Sequence, residues 1–364
     1  MGHRMIRIKD CHAIFCEYAQ MGTLNNSRRK FIEYGLATVT GAVASRLDGT
    51  SLLAAPAHPV QIVANDMSAT NPVHVTARRG VKPTRIDAHG HTVRGLTADR
   101  VISLMDMTGI SHMVLMARGR NDALTTEIYQ QAPQRILPFV STMYPGWHRQ
   151  DPRVLSFAER QLSTGRFKGV GEVMLRYFGI PSKNEPAVNV PADSPFIKKL
   201  SDIVVHHDSV MLVHMEPEPE AIRSLENLLN YNKSLKLIWA HCGTVAKVGL
   251  KTIGHADIGA LMDRHPNLYT DIAGVQPMSL APSGGLRRPP ITDHRGNLLP
   301  RFRQLLERHS NRVLFGLDTP WMQCWAEEPF REWVKWADNV VAQLEDAGAA
   351  ERIMHKNAED LFNI

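Results

Sequence analysis

A single (β/α)8 barrel over residues 84–364 is the fold class that the sequence predicts. Eight short runs rich in apolar and β-branched residues alternate there with longer helix-like stretches, and a barrel of this kind usually takes about 250 residues. Hydrophobic residues make up 43% and charged residues 21% of the 364, which is usual for a globular domain with a large core. A doubly wound open sheet has the same alternation, but no glycine-rich nucleotide fingerprint follows the first strand.

The predicted strands follow one another at regular intervals. Short apolar runs enriched in β-branched side chains favour strands, and they occur at 84–89, 110–117, 135–142, 167–175, 209–216, 235–243, 267–274 and 312–320. Helical periodicity fills the intervals, for example at 97–107, 194–207 and 217–230. The last of these begins with prolines in its first turn and has apolar residues on one face, at Ile222, Leu225, Leu228 and Leu229.

Residues 1–57 are predicted to be an N-terminal extension with an export signal. The segment SRRKFI at 27–32 resembles a twin-arginine signal, and the small apolar run at 34–44 suits a signal peptide but is too short for a membrane anchor. Cleavage is expected after Ala44 or Ala57, and translation from Met21 would bring the signal nearer to the start. A short amphipathic helix is the alternative. With an export signal, a periplasmic or secreted location is expected.

Residues 58–83 are rich in Pro, Ala and Thr and are predicted to be a linker.

The charge distribution argues against a nucleic-acid partner. The formal net charge of the chain is +6, but residues 58–364 hold 35 Lys and Arg against 32 Asp and Glu. An excess of this size is too small for an electrostatic footprint on nucleic acid. The four cysteines have no zinc-type spacing and imply no disulfide framework.

Residues with metal-ligand chemistry stand at the ends of several predicted strands, where a barrel of this type places its chemistry. His89 and His91 end the first strand, and the period of two points them to the same side. A single histidine at a strand end is more often structural, but several imidazoles with a carboxylate suit a cation such as Zn²⁺. The whole set is His89, His91, Glu172, His214, His241 and Asp318.

The motifs around these residues resemble the amidohydrolase superfamily, in particular its amidohydrolase family 2 branch of metal-dependent barrel hydrolases and decarboxylases. The matching elements are DAHGHT (87–92), VHME (213–216), AHCG (240–243), LFGLDTP (314–320) and IMHKNAEDLF (353–362). By this resemblance His241 binds a second metal or acts in catalysis, Glu172 bridges two cations or hydrogen-bonds a ligand, and Asn357 packs the last helix. One zinc ion is favoured over two. The metal ligands implied are His89, His91, His214 and Asp318.

Hydrolysis of a small carbonyl compound such as a lactone, ester or amide is the activity that this resemblance implies. A bound metal would lower the pKa of a water molecule and polarise the substrate carbonyl. Asp318 would act as general base, and His241 would hydrogen-bond the developing oxyanion. Non-oxidative decarboxylation on a mononuclear site is the alternative. A third hypothesis is an inactive exported barrel that binds a metal or ligand, and the presence of both His241 and Asp318 argues against it.

Loop arginines expected over the barrel mouth favour a carboxylated substrate, because guanidinium pairs well with carboxylate. The long loop at 275–300 fits a lid. A homo-oligomer is compatible with the sequence, and the export machinery is the protein partner that it predicts. The candidate substrate-binding residues are Arg118, Arg120, Arg176 and Tyr177, and neighbouring loops carry Tyr144, His148, Arg287 and Arg288.

Overall fold

Eight parallel strands follow one another around a nearly closed barrel in the computed structural model. A two-residue strand, β5, pairs antiparallel with β4 outside this ring. Backbone hydrogen bonds draw the ring together between β1 and the segment directly after β9, from the Ala88 amide to the Phe315 carbonyl (2.9 Å) and from the Asp318 amide to the His89 carbonyl (2.8 Å). The strands are β1 Arg85–Thr92, β2 Ile110–Ala117, β3 Ile136–Val140, β4 Gly169–Tyr177, β5 Val188–Asn189, β6 Val210–Met215, β7 Lys236–Trp239, β8 Leu268–Asp271 and β9 Val313–Leu314.

The structure describes residues 84–118, 122–142, 147–179, 186–244, 255–277, 280 and 290–364. All of them lie in one compact unit, Thr76–Ile364. The predicted export signal and linker fall outside the described residues, as do Arg120, Tyr144, Arg287 and Arg288. No helix in the described part of the chain has the length and apolar character needed to cross a membrane.

Helices follow the barrel strands and cover their outer side, as the alternating pattern predicts. Several of them have ordinary capping residues at their ends. Thr97 accepts a hydrogen bond from the Arg100 amide at the start of α1, Gly109 ends that helix in the left-handed conformation, and Ser194 caps α4 ahead of Pro195. The helices are α1 Ala98–Thr108, α2 Ala123–Gln131, α3 Pro152–Leu162, α4 Pro195–His206, α5 Pro219–Tyr231, α6 His255–Arg264, α7 Pro300–Arg308, α8 Glu327–Val341, α9 Ala347–Glu351 and α10 Asn357–Phe362.

The apolar core has an outer layer between strands and helices and a smaller inner layer inside the barrel. The inner layer is closed at one end by α10, whose Phe362 packs edge-on against Phe139 at 5.9 Å. Asn357 donates to the carbonyls of Ser310 (2.8 Å) and Val313 (2.7 Å). Asn357 therefore anchors the last helix to the barrel, as the sequence predicts.

A bulge in β1 directs its histidines toward the barrel interior. The pairing of β1 with β2 is irregular between Asp87 and Gly90. Ile86 and Ala88 already lie in the inner core, so strict alternation from them would turn His89 outward. The extra residue reverses the alternation, and His89 and His91 both face the interior. β4 has the same kind of irregularity after residue 170, next to Glu172.

Candidate functional site

His89 and His91 are fully or almost fully buried, at 0% and 2% exposure. Their Nε2 atoms lie 3.3 Å apart, and Asp318 Oδ1 stands 3.9 Å from the first and 3.4 Å from the second. Three polar atoms that can each offer a lone pair thus converge on one point. Nδ1 of His91 is buried and has no hydrogen-bond partner among the described residues.

Glu172 lies at the centre of the cluster and contacts four histidines, which come from β1, β6 and the turn after β7. Its Oε1 is 2.9 Å from His214 Nδ1 and 3.3 Å from His241 Nε2. Its Oε2 is 3.5 Å from His91 Nε2, and Oε1 is 3.9 Å from His89 Nε2. Burial by itself raises the pKa of Glu172, but the charge and hydrogen bonds of the facing histidines more than offset this and hold the pKa well below its usual range.

The sequence predicts that His241 and Asp318 lie within strands, but in the structure both lie after the ends of the observed strands. β7 ends at Trp239, and His241 begins a short 3-10 turn with φ of 66°. β9 ends at Leu314, and Asp318 has φ of 58°. A left-handed backbone cannot continue a strand, so these two predicted strand ends are too long by several residues. Both side chains still reach the cluster.

Asp271, the last residue of β8, holds two of the cluster histidines. It is fully buried. Its Oδ2 is 2.9 Å from His89 Nδ1, and its Oδ1 accepts hydrogen bonds from the amides of His241 (2.7 Å) and Ala273 (3.1 Å). Burial by itself lowers the pKa of His89, but Asp271, with help from Asp318 and Glu172, raises it to about 9.

Two more buried carboxylates stand near the cluster. Glu216, one residue past β6, has Oε1 3.4 Å from His214 Nε2. Asp87 accepts hydrogen bonds from the amides of His89 (2.9 Å) and Leu317 (3.1 Å), which ties β1 to the segment after β9. Burial outweighs these hydrogen bonds and raises the pKa of Asp87 to about 7.

The structure brings the six predicted site residues together. The cluster contains three overlapping groups of three residues, and within each group the donor atoms lie within 4.8 Å of one another, close enough to share a cation. The three groups are His89, His91 and Glu172; Glu172, His214 and His241; and His89, His241 and Asp271.

The predicted substrate-binding residues have different surroundings. The Arg118 guanidinium donates to the carbonyl of Pro320 (3.2 Å) and lies over the ring of Trp321, beside the segment of Asp318. The ring of Tyr177 packs edge-on against His214 at 5.3 Å.

Arg176 is engaged away from the cluster. Its side chain pairs with Glu218 and also contacts the backbone carbonyls of Tyr177 and Val188. None of these contacts is with a cluster histidine, whereas the contacts of Arg118 lie in the segment that directly follows Asp318.

Three residues of the site, Asp271, Glu216 and Asp87, are not among those that the sequence predicts. Glu216 closes the predicted strand at 209–216, so the strand-end criterion could have selected it, whereas Asp271 lies inside the predicted strand at 267–274 and ends β8 only in the structure. Asp87 precedes the histidine pair within the same motif. These three residues hold the histidines, and their roles depend on hydrogen bonds that a linear pattern does not show.

The parallel barrel and the cluster of histidines and carboxylates at the ends of its strands define a barrel enzyme of the metal-dependent amidohydrolase class. A family profile described as Amidohydrolase matches residues 72–364. The chain therefore belongs to the amidohydrolase family.

Solved structures show the same fold at low identity. A 2,6-dihydroxybenzoate decarboxylase in complex with 2,6-dihydroxybenzoate is 15% identical, with a TM-score of 0.50 and coverage of 77% of this chain and 99% of that one. A probable 2-pyrone-4,6-dicarboxylic acid hydrolase from Acinetobacter baumannii, with citric acid bound, is 18% identical, with a TM-score of 0.52 and the same coverage. A TatD homolog from Escherichia coli is 15% identical, with a TM-score of 0.53 and coverage of 77% and 98%. No significant match was found among curated proteins.

Proposed function

We propose that this amidohydrolase is a metal-dependent hydrolase that uses water to cleave a small lactone, ester or amide. The observation that carries the proposal is the position of Glu172 between two sets of histidines. Its Oε1 faces His214 and His241, while its Oε2 faces His91. A carboxylate in this position can serve two cations at once, an arrangement found in some hydrolases of the superfamily that the sequence resembles.

The residues present fit divalent cations. Buried carboxylates cost free energy unless positive charge compensates them. Among the described residues Arg85 is the only buried Lys or Arg, and it pairs with Asp338 at the start of β1, away from the cluster. Imidazole nitrogens and carboxylate oxygens are the donor set that Zn²⁺ prefers. The buried acids at or beside the cluster are Asp87, Glu172, Glu216, Asp271 and Asp318.

We infer two cation positions, whereas the sequence alone favours one. The donors divide into a set from β1 and the segment after β9, and a set from β6 and the turn after β7. Glu172 is shared between them. His89, His91 and Asp318 would hold one cation, and His214 and His241 would hold the other.

Hydrogen bonds on the far sides of two imidazoles support their role as ligands. Nδ1 of His241 lies 2.9 Å from the carbonyl of Ala273, which can only accept, so Nδ1 carries the proton. Nδ1 of His89 is held in the same way by Asp271. An imidazole must be neutral to bind a cation, and in that form each of the two would present the lone pair of Nε2 to the cluster. Neutral His241 has no proton on Nε2 to donate to an oxyanion, so a ligand role suits it better than the oxyanion contact expected from the sequence.

Asp318 is the residue best placed to move a proton. A bound cation would lower the pKa of the attacking water and polarise the substrate carbonyl. The Asp318 carboxylate would accept the proton of that water and later deliver it to the leaving oxygen or nitrogen. Asp318→Asn removes this basic group but keeps an oxygen that can contact a cation.

The Asp318→Asn variant tests this role. We expect its kcat to fall at least about 100-fold, because general-base catalysis contributes about 10²–10⁴-fold. Its metal content, measured by elemental analysis, should stay close to that of the unchanged protein. A kcat near the original value would refute the assignment of Asp318.

Arg118 supports a carboxylated substrate. Its guanidinium is fixed by the Pro320 carbonyl and the Trp321 ring beside Asp318, and a planar guanidinium pairs well with a carboxylate. The same feature also suits the second candidate function, decarboxylation of an aromatic acid on a single cation. Arg120, predicted for the same role, lies outside the described residues.

A combined metal and product assay separates the two candidate functions. The purified protein is analysed for metal content and then assayed on a panel of carboxylated lactones, esters, amides and aromatic acids. Two equivalents of metal with hydrolysis support the main proposal. One equivalent with CO₂ release from an aromatic acid would replace it with the decarboxylase.

We further propose that the protein is exported by the twin-arginine pathway to the periplasm or the medium. The support is the segment SRRKFI at 27–32 and the small apolar run after it. Replacing Arg28 and Arg29 with Lys should leave the precursor in the cytoplasm, as measured by cell fractionation. Unchanged export of that variant would exclude this pathway.

A further inference from the structure

Glu216 is a buried carboxylate to which the proposed function gives no role. It is 1% exposed, and its Oε1 stands 3.4 Å from Nε2 of His214. Its Oε2 is also buried and has no hydrogen-bond partner within the described part of the chain. Because an uncompensated buried carboxylate is costly, the adjacent imidazole is the group that makes this position tolerable.

His214 stands between two carboxylates, one at each ring nitrogen. Nδ1 is 2.9 Å from Glu172 Oε1 and 3.3 Å from His241 Nε2, so it is the nitrogen that faces the cluster. Nε2 faces Glu216. An ionised carboxylate can only accept a hydrogen bond, so Glu216 keeps a proton on Nε2. When a cation takes the place of the proton on Nδ1, the lone pair of Nδ1 points at that cation.

The backbone fixes Glu216 in this position. Its amide donates to the carbonyl of Arg176 on β4 (2.9 Å), and its own carbonyl accepts from the amide of Glu218 (2.9 Å). Both bonds restrain the chain directly after β6. A side chain on so restrained a backbone can hold a ligand in one orientation.

We propose that Glu216 is a positioning residue, whose carboxylate holds the Nε2 proton of His214 and so presents Nδ1 of His214 to the cation position shared with His241. The inference rests on the proposed function, because it requires a cation at the cluster. It makes Glu216 the counterpart of Asp271, which holds Nδ1 of His89. Loss of Glu216 should therefore weaken one cation position and leave the position of His89 and His91 intact.

The test compares Glu216→Gln and Glu216→Ala with Glu220→Gln as a matched control. Glu220 lies four residues further along, on α5, and its side chain is 92% exposed, so its substitution removes one charge from the same segment without touching the cluster. Each protein is stripped with a chelator and titrated with Zn²⁺ against a chromophoric competitor. The visible spectrum of the Co²⁺-loaded protein gives a second readout that does not depend on turnover. Circular dichroism and the unfolding midpoint verify that each variant is folded.

We expect Glu216→Ala to weaken one of the two Zn²⁺ positions about 10–100-fold, which is the usual effect of removing a residue that orients a ligand. Glu216→Gln should have a smaller effect, since its amide oxygen can still accept from Nε2. The Co²⁺ spectrum should change in both variants but not in Glu220→Gln. If Glu216→Ala fails to fold, Glu216→Gln decides the outcome through its Zn²⁺ affinity and Co²⁺ spectrum.

The outcomes separate this inference from the proposed function. Two Zn²⁺ ions bound with unchanged affinity and an unchanged Co²⁺ spectrum in the folded Glu216 variants would overturn the role of Glu216 while leaving the proposed function intact. Failure of the unchanged protein to bind any divalent cation would overturn the proposed function itself, and the inference would fall with it.

Discussion

Replacing Asp271 with Asn should reverse the proton position on His89 and remove that histidine as a metal ligand. Asp271 is fully buried, and one oxygen already accepts from two backbone amides, those of His241 and Ala273. An asparagine can keep these two bonds only by turning its oxygen toward them, which places its NH₂ group opposite Nδ1 of His89. Nδ1 must then accept, so the proton moves to Nε2 and occupies the lone pair that faces the cluster.

The size of the effect follows from the contacts that are lost. Removing a residue that orients a metal-binding histidine costs about 10–100-fold in metal affinity, which corresponds to about 1.4–2.8 kcal/mol. Asp271→Ala is a poorer variant. It would leave two buried amides without an acceptor, which costs about 1–3 kcal/mol of stability for each amide. A loss of metal binding in that variant could then not be distinguished from a loss of folding.

The assay is competition for Zn²⁺ between the chelator-treated protein and a chromophoric chelator. Asp338→Asn is the control, because it removes a carboxylate that pairs with buried Arg85 at the opposite end of β1. This control should lower the unfolding midpoint but leave Zn²⁺ affinity unchanged. If Asp271→Asn binds Zn²⁺ as tightly as the unchanged protein, the argument about the His89 tautomer is wrong.

The fold and most of the cluster follow from sequence because a barrel leaves little freedom at its rim. Parallel strands in one ring end on the same side, so residues at their ends that face the interior lie around one rim even when they are far apart in the chain. His91 and His214 are 123 residues apart in number, yet Glu172 contacts both of them. The predicted strands therefore already place the six site residues around the same rim.

The direction of each side chain did not follow from sequence. The alternation that places His89 inside depends on the bulge between Asp87 and Gly90, and nothing in an apolar run shows where an extra residue will be accommodated. Arg176 is the opposite case, a residue that the sequence predicts at the site but whose side chain points away from it. It lies near the end of β4, but its partner Glu218 belongs to another segment and draws the guanidinium away from the cluster.

Two further predictions concern β1. In the metal-free protein the pKa of His89 rises from 6.5 to about 9, so the folded state binds the proton more tightly than the unfolded state. That stabilisation is present at low pH and is lost as the pH rises through 9. Asp87, with a pKa of about 7, changes its protonation mainly below pH 7, so His89 is the one of the two that titrates between pH 7 and 9. Over this range the free energy of unfolding should fall in chelator-treated protein but not in Zn²⁺-loaded protein. A flat profile without metal would contradict this. Gly90→Ala should cost about 1–3 kcal/mol of stability, because its Cβ would stand 2.8 Å from the Val114 carbonyl oxygen. Gly259→Ala, whose Cβ meets nothing closer than 3.5 Å in α6, should be neutral or gain up to about 1 kcal/mol. Equal unfolding midpoints for the two variants would contradict this reasoning. They would show that β1 and β2 can move apart without loss of stability, and that their close approach at Gly90 does not hold the histidine pair in place.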